Sequence, residues 1–126
     1  MGWSLGTGVA VYLSEQRTVR GTVLVTPFDH WAHMFQSRDF PLVPLRLIKD
    51  KYFVFNSIKR APSIQSPVLC LVGAKDNIVL PAISTDLAKH WGGHQTTIIY
   101  EDANHGLLFQ ENSSWKDISE FLEKLP

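Results

Sequence analysis

A serine close to the start of the chain lies in a pattern that is typical of enzyme nucleophiles. The stretch GWSLG at residues 2–6 fits G-x-S-x-G, which puts a serine on a sharp turn between a strand and a helix. Such a turn presents the hydroxyl at the edge of a sheet, where a neighbouring base can take its proton. The pattern therefore predicts Ser4 as a nucleophile and the backbone N–H of Leu5 as one donor of an oxyanion hole.

An aspartate and a histidine later in the chain are the partners that such a serine requires. Asp76 follows the apolar run at residues 67–73, and His105 follows a second β-branched run at residues 96–100. In open parallel sheets, functional side chains collect in the loops after the carboxyl ends of the strands. We expect His105 to be the general base and Asp76 to accept a hydrogen bond from its other ring nitrogen.

Each of these three residues also has a simpler structural interpretation. Ser4 could cap the helix that follows it, Asp76 could hold a turn, and His105 could be an ordinary loop residue. The chain order serine, aspartate, histidine, with each residue after its own strand, favours a catalytic triad over three separate structural roles.

The elements that must position this triad alternate between helices and strands. Hydrophobic patterns predict buried strands at residues 22–25, 67–73 and 96–100. Alternation of this kind predicts the α/β class: three layers, α/β/α, around a parallel sheet of about three strands.

Helices are expected between the predicted strands and after the last one. The first spans about residues 7–16, with Val9, Tyr12 and Leu13 on its apolar face. The second begins at Pro81, and the last begins near Ser114, where a capping-box spacing occurs.

Residues 29–66 are predicted to be a cap inserted over the site, because prolines interrupt them and their pattern is irregular. Aromatic residues are scattered through this segment; they are Trp31, Phe35, Phe40, Tyr52, Phe53 and Phe55. These rings either line a pocket or pack the insertion onto the core.

Composition excludes several other classes of function. Twelve basic and twelve acidic residues cancel without a run of like charge, so neither nucleic-acid binding nor an anionic membrane surface is indicated. No apolar stretch is long enough to span a membrane. The single cysteine, Cys70, lies in an apolar run and is expected in the core. Because one cysteine cannot form a disulfide within the chain, a cytoplasmic location is expected. His30 and His33 have ligand-like spacing without a completing cluster, so no metal or cofactor is expected.

The chain resembles the α/β-hydrolase superfamily, and within it the small esterase and serine-aminopeptidase-like branch. The resemblance covers nearly the whole chain and depends on GWSLGTG at 2–8, PVLCLVGAKD at 67–76 and ANHG at 103–106. It implies Ser4 as nucleophile, Asp76 as acid and His105 as base, acting on a small acyl substrate without a cofactor.

The same resemblance implies that only part of the family fold is present. The family has an eight-stranded sheet, and this chain matches it from the nucleophile turn through the last three strands, as its C-terminal portion. The loop that supplies a second oxyanion donor is not among the matched segments. The strand at residues 22–25 is then expected to have an unpaired apolar edge. The alternatives are a fragment of a longer enzyme, a chain completed by a partner and a self-paired homodimer. A truncated, non-catalytic remnant that pairs its open sheet edge with another chain is the alternative to a serine hydrolase.

Overall fold

Four parallel strands form one open sheet. The structure is a computed structural model that describes residues 1–30, 56–110 and 112–126. The strands follow their chain order across the sheet. They are β1 (Gly2–Trp3), β2 (Thr22–Val25), β3 (Val68–Gly73) and β4 (Gln95–Tyr100). Because all four run in the same direction, their carboxyl ends lie along one edge of the sheet.

Helices cover both faces of this sheet, which confirms the predicted three-layer α/β fold. They are α1 (Leu5–Gln16), α2 (Ser57–Arg60), α3 (Pro81–Lys89) and α4 (Asn112–Glu123), with short 3-10 turns at Ala61–Ser63 and Leu107–Phe109. Helices α1 and α3 pack in the core on one face, and α4 packs on the other.

The two faces of the sheet are divided by the alternation of side chains along β2 and β3. Leu24 and Cys70 are packed in the cluster that contains α1 and α3, whereas Val23 and Leu69 are packed in the cluster that contains α4. Every residue of β3 is buried. A strand covered on both faces has no polar side, and this explains the continuous apolar run in its sequence.

Strand β1 adds a fourth strand to the predicted three and corrects one expectation about the edge. Gly2 pairs with Leu24 and Trp3 pairs with Val25, so the carboxyl half of β2 is not unpaired as predicted. Two residues of extended backbone are enough to extend the ladder to this point. Among the described residues, the edge strands of the sheet are therefore β1 and β4, and β2 is an inner strand.

The predicted apolar face of α1 is wrong. Val9 and Leu13 are about half exposed, whereas Thr7, Gly8 and Val11 are the buried residues of the helix. Helical spacing shows which residues share a face, but it does not show which face meets the sheet. Here the path from β1 into α1 decides that orientation.

The predicted capping box of the last helix is also wrong. The helix includes Asn112, so Ser114 lies inside it, and the Ser114 hydroxyl donates to the carbonyl oxygen of Leu108 at 2.5 Å. This contact joins α4 to the turn at Leu107–Phe109, and that tertiary role is not visible in local spacing. The buried residues of the helix include Ile118, whereas Trp115 and Leu122 are about half exposed.

Most of the predicted cap lies outside the described residues. These include residues 31–55, with all six aromatic residues named above and with His33, so the cap at 29–66 stays a prediction. In the described part of the chain, no helix is long and apolar enough to cross a membrane.

We predict that the thiol of Cys70 is unreactive in the folded chain. Burial raises its pKa to about 12, because the charged thiolate loses its hydration. At pH 8 only roughly one thiol in ten thousand would be ionised. An aromatic disulfide reagent, which releases a coloured thiolate on reaction with a thiol, should not react with the native chain. In denaturant it should release one equivalent of the coloured thiolate per chain. Rapid reaction of the native chain would show that this part of the core opens readily.

Candidate active site

Ser4 lies at the turn from β1 into α1, with a backbone conformation that residues other than glycine rarely adopt. Its φ is 48° and its ψ is −119°. The turn is held by backbone contacts on both sides. The Ser4 N–H donates to the carbonyl oxygen of Val25 at 2.9 Å, and its carbonyl oxygen accepts from the Thr7 N–H at 2.9 Å and the Thr7 hydroxyl at 2.6 Å. The Ser4 side chain makes no cap hydrogen bond to α1, so it is free to bond elsewhere.

The two glycines that flank Ser4 differ in what surrounds them. A Cβ built on Gly2 would lie 2.5 Å from the carbonyl oxygen of Gly6, so the strand and helix approach too closely for any side chain. A Cβ on Gly6 would meet nothing within 4 Å among the described residues. Close packing therefore accounts for the glycine at position 2 but not for the one at position 6.

Asp76 is buried in the loop after β3, and each of its carboxylate oxygens has a separate task. Oδ1 accepts from the N–H groups of Ile78 and Val79, both at 2.9 Å, and this holds the turn. Oδ2 lies 2.8 Å from Nδ1 of His105. The turn interpretation and the triad interpretation of this residue are therefore both compatible with one side chain. Three N–H contacts offset the cost of burying the carboxylate.

His105 connects Asp76 to Ser4. Its Nδ1 faces the carboxylate, and its Nε2 lies 2.9 Å from the hydroxyl oxygen of Ser4. A carboxylate oxygen can only accept, so Nδ1 of the neutral ring carries the proton, and Nε2 then accepts from the Ser4 hydroxyl. The structure thus brings all three predicted residues into one chain of hydrogen bonds.

The loops that carry Asp76 and His105 are held against each other after β3 and β4. A Cβ on Gly73 would lie 2.6 Å from the carbonyl oxygen of Ala103, so the loops touch through backbone. The Lys75 N–H also donates to that oxygen at 3.0 Å. The Lys75 ammonium lies 2.6 Å from Asp102, and this hydrogen bond and the positive charge lower the pKa of Asp102.

Leu5 is the first residue of α1, as an oxyanion donor in this turn requires. Its backbone N–H is one of the groups at a helix start that have no acceptor within the helix. The N–H therefore lies next to Ser4 at the positive end of the helix, where negative charge is stabilised.

Three residues near this edge of the sheet were not singled out in the sequence. Thr7 bonds back to the Ser4 carbonyl oxygen, and a threonine three residues after a turn serine is a detectable sign of this contact. Trp3 packs its indole against the His105 ring, which no local pattern indicates. Thr26, directly after β2, is fully buried with φ 49° and has no hydrogen-bond partner for its hydroxyl among the described residues.

Comparison with known protein sequences gives relatives over part of the chain. No family model matches the chain. Uncharacterized proteins from two strains of Mycobacterium tuberculosis are 40% identical to it over 87 residues, which is 68% of this chain. That match covers only 30% of the length of each relative.

Solved structures match over almost the entire chain. An alpha/beta hydrolase enzyme from the sediment metagenome of the Mar Chica lagoon has a TM-score of 0.73 and 17% identity, over 98% of this chain and 59% of its own. The Pyrococcus horikoshii acylaminoacyl peptidase has a TM-score of 0.79 and 15% sequence identity, and the match covers 98% of this chain and 23% of the peptidase. The acetyl xylan esterase from Paenibacillus sp. R4 has a TM-score of 0.71 and 19% sequence identity, and the match covers 100% of this chain and 44% of the esterase.

The chain has part of the α/β-hydrolase fold. The resemblance seen in the sequence is therefore confirmed at the level of the fold. The α/β-hydrolase sheet of this chain places Ser4, Asp76 and His105 at a single edge. In residues 1–30, 56–110 and 112–126, no group of three His, Cys, Asp or Glu side chains is arranged to hold a metal ion.

We predict opposite effects for alanine at the two glycines beside Ser4. Gly2→Ala should lower the free energy of unfolding by about 1–3 kcal/mol, because its Cβ overlaps the backbone of Gly6. Gly6→Ala should raise it by about 0.5 kcal/mol, because alanine is favoured in a helix and its Cβ has room. Urea denaturation of the two variants measures both. Equal stability of the variants would contradict the close approach of β1 and α1.

Proposed function

We propose that this chain carries the catalytic residues of a serine hydrolase that cleaves an ester, thioester or small amide through an acyl-enzyme. The observation that carries the proposal is the continuous hydrogen-bond chain from Asp76 through His105 to Ser4. A buried carboxylate, an imidazole and a serine in a strained turn form the arrangement that activates a hydroxyl for acyl transfer.

The first half of the proposed reaction acylates Ser4. Nε2 of His105 takes the hydroxyl proton while the Ser4 oxygen attacks the substrate carbonyl carbon. Asp76 accepts the Nδ1–H of the resulting imidazolium and stabilises its charge. The oxyanion that forms receives a hydrogen bond from the Leu5 N–H. The intermediate then expels the leaving group, which takes the proton from His105.

The second half returns the enzyme to its starting state. His105 removes a proton from a water molecule, which attacks the acyl carbonyl carbon. The second tetrahedral intermediate collapses, the carboxylic acid leaves, and Ser4 regains its proton from His105. No metal or cofactor enters any step. The structural neighbours include an acetyl xylan esterase and an acylaminoacyl peptidase, which is compatible with an acyl substrate but does not choose among acyl classes.

We predict that a fluorophosphonate probe labels the chain at Ser4. The Ser4 oxygen should displace fluoride from phosphorus, and intact mass should rise by one phosphonyl group. Ser4→Ala should abolish labelling, whereas Asp76→Asn should slow it by about 10⁴-fold, because the ring then loses the acceptor for its Nδ1–H.

Ser113→Ala is the matched control, since it removes an exposed hydroxyl from α4. It should be labelled at the rate of the unchanged chain. Equal labelling of Ser4→Ala would contradict Ser4 as the nucleophile. Absence of labelling in the unchanged chain, with its fold verified by circular dichroism, would contradict hydrolase activity of this chain by itself.

A second candidate function is pairing of the sheet edge with a second copy of this chain. Large apolar side chains are exposed beside β1 and along the outer side of α1; they are Met1, Leu5, Val9 and Leu13. Val9 and Leu13 line one groove with Gly6 and Thr22. Exposed apolar surface beside a strand at the edge of a sheet favours association with another chain.

We predict a concentration-dependent dimer if this candidate is correct. Sedimentation equilibrium should give twice the chain mass at high concentration. Val9→Glu/Leu13→Glu should shift the chain to monomer by placing charge in the groove. Lys116→Glu is the control and should not, because Lys116 is exposed on α4, which packs on the opposite face of the sheet. A monomer at every concentration would contradict self-pairing.

A further inference from the structure

The indole of Trp3 packs against the imidazole of His105. The two ring centroids are 6.1 Å apart, and the ring planes are inclined by 29°. This separation is within the range in which aromatic rings attract each other. The contact joins Trp3, the residue immediately before the proposed nucleophile, to the proposed base. Trp3 lies on β1 and His105 follows β4, the two edge strands of the sheet.

The strand ladder holds Trp3 in place. It pairs with Val25 of β2, and the Ser4 N–H donates to the Val25 carbonyl oxygen. Gly2, one residue earlier, points towards α1, so alternation along β1 directs Trp3 to the opposite face of the sheet. The backbone of Trp3 is therefore held by the same short strand that holds Ser4.

The loop around His105 offers less support. Its neighbours Asn104, Gly106 and Leu107 are exposed. Within this turn, the Asn104 side chain accepts from the N–H groups of Gly106 and Leu107, which orders the backbone but does not touch the imidazole. The ring itself is held at its edge, by Asp76 on Nδ1 and by Ser4 on Nε2.

Two hydrogen bonds on opposite sides of a ring leave one motion unrestrained. The imidazole can tilt about the line that joins its two nitrogens with little change in either distance. A contact on the ring face opposes this tilt, and Trp3 makes such a contact. The charged and polar groups that contact the ring are the Asp76 carboxylate and the Ser4 hydroxyl, while Lys75 and Asp102 pair with each other nearby.

We propose that Trp3 is a positioning residue that holds the plane of His105 so that Nε2 stays directed at the Ser4 hydroxyl. This role goes beyond the proposed function and depends on it. Trp3 takes no part in bond making or proton transfer. It acts only through the orientation of His105, so an aromatic ring of another kind should partly replace it.

The test compares Trp3→Leu, Trp3→Phe and the matched control Trp115→Leu. Trp115 lies on α4 and is 47% exposed, close to the 45% of Trp3, so both leucine variants remove a half-exposed indole. The first readout is the second-order rate of fluorophosphonate labelling. The second readout is the NMR chemical shift of the His105 ring protons, which are assigned by their absence from the spectrum of His105→Gln.

Trp3→Leu should slow labelling by about 3- to 10-fold, the rate equivalent of one aromatic contact. It should also remove the ring-current shift from the His105 protons. Trp3→Phe should restore part of both, and Trp115→Leu should change neither. Because the NMR signal does not require a reaction, it reports the contact separately from catalysis.

Two results would overturn the role of Trp3. Unchanged His105 ring resonances in Trp3→Leu would show that the rings do not stack in solution. A changed resonance with a labelling rate within twofold of the unchanged chain would show a contact without a positioning role. If the unchanged chain is not labelled at all, the proposed hydrolase function fails first, and the positioning role fails with it.

Discussion

The left-handed backbone of Ser4 is the constraint on which the site depends. A φ of 48° is unfavourable for serine, so the surrounding structure must hold it. The ladder with β2 fixes the N–H of Ser4, and Thr7 holds its carbonyl oxygen with two hydrogen bonds. Gly2 lets α1 begin directly above the strand, because no Cβ intervenes. These contacts leave the hydroxyl directed away from the helix, towards His105.

The order of the strands then decides which side chains can meet. Ser4 follows the first strand of the sheet and His105 follows the fourth, so the His105 loop must reach across β2 and β3. Asp76, in the loop after β3, lies along that path and accepts a hydrogen bond from Nδ1 of His105. The backbone contact between Gly73 and Ala103 keeps the two loops close enough for this bond. The site is thus a property of the whole sheet edge and not of one motif.

The apolar surface beside β1 is the main feature that the described core does not cover. Val9 and Leu13 face away from the sheet, while Val11 of the same helix is fully buried. The chain spans about 30% of the length of the Mycobacterium tuberculosis relatives, and the solved neighbours are also longer. In the described part of the chain, β1 is the edge strand that lies beside that surface.

The sequence by itself determined the class of fold and predicted the three candidate residues that the structure brings together. An apolar run such as Val68–Gly73 predicts a strand buried on both faces. A serine, an aspartate and a histidine that each follow a parallel strand are expected at one edge of the sheet. Tertiary structure decided what spacing cannot express. The face of α1 that meets the sheet, the place of Ser114 inside α4 and the stacking of Trp3 on His105 each depend on residues far apart in the chain. Local patterns record periodicity and turn chemistry, whereas these contacts arise only when the strands are packed side by side.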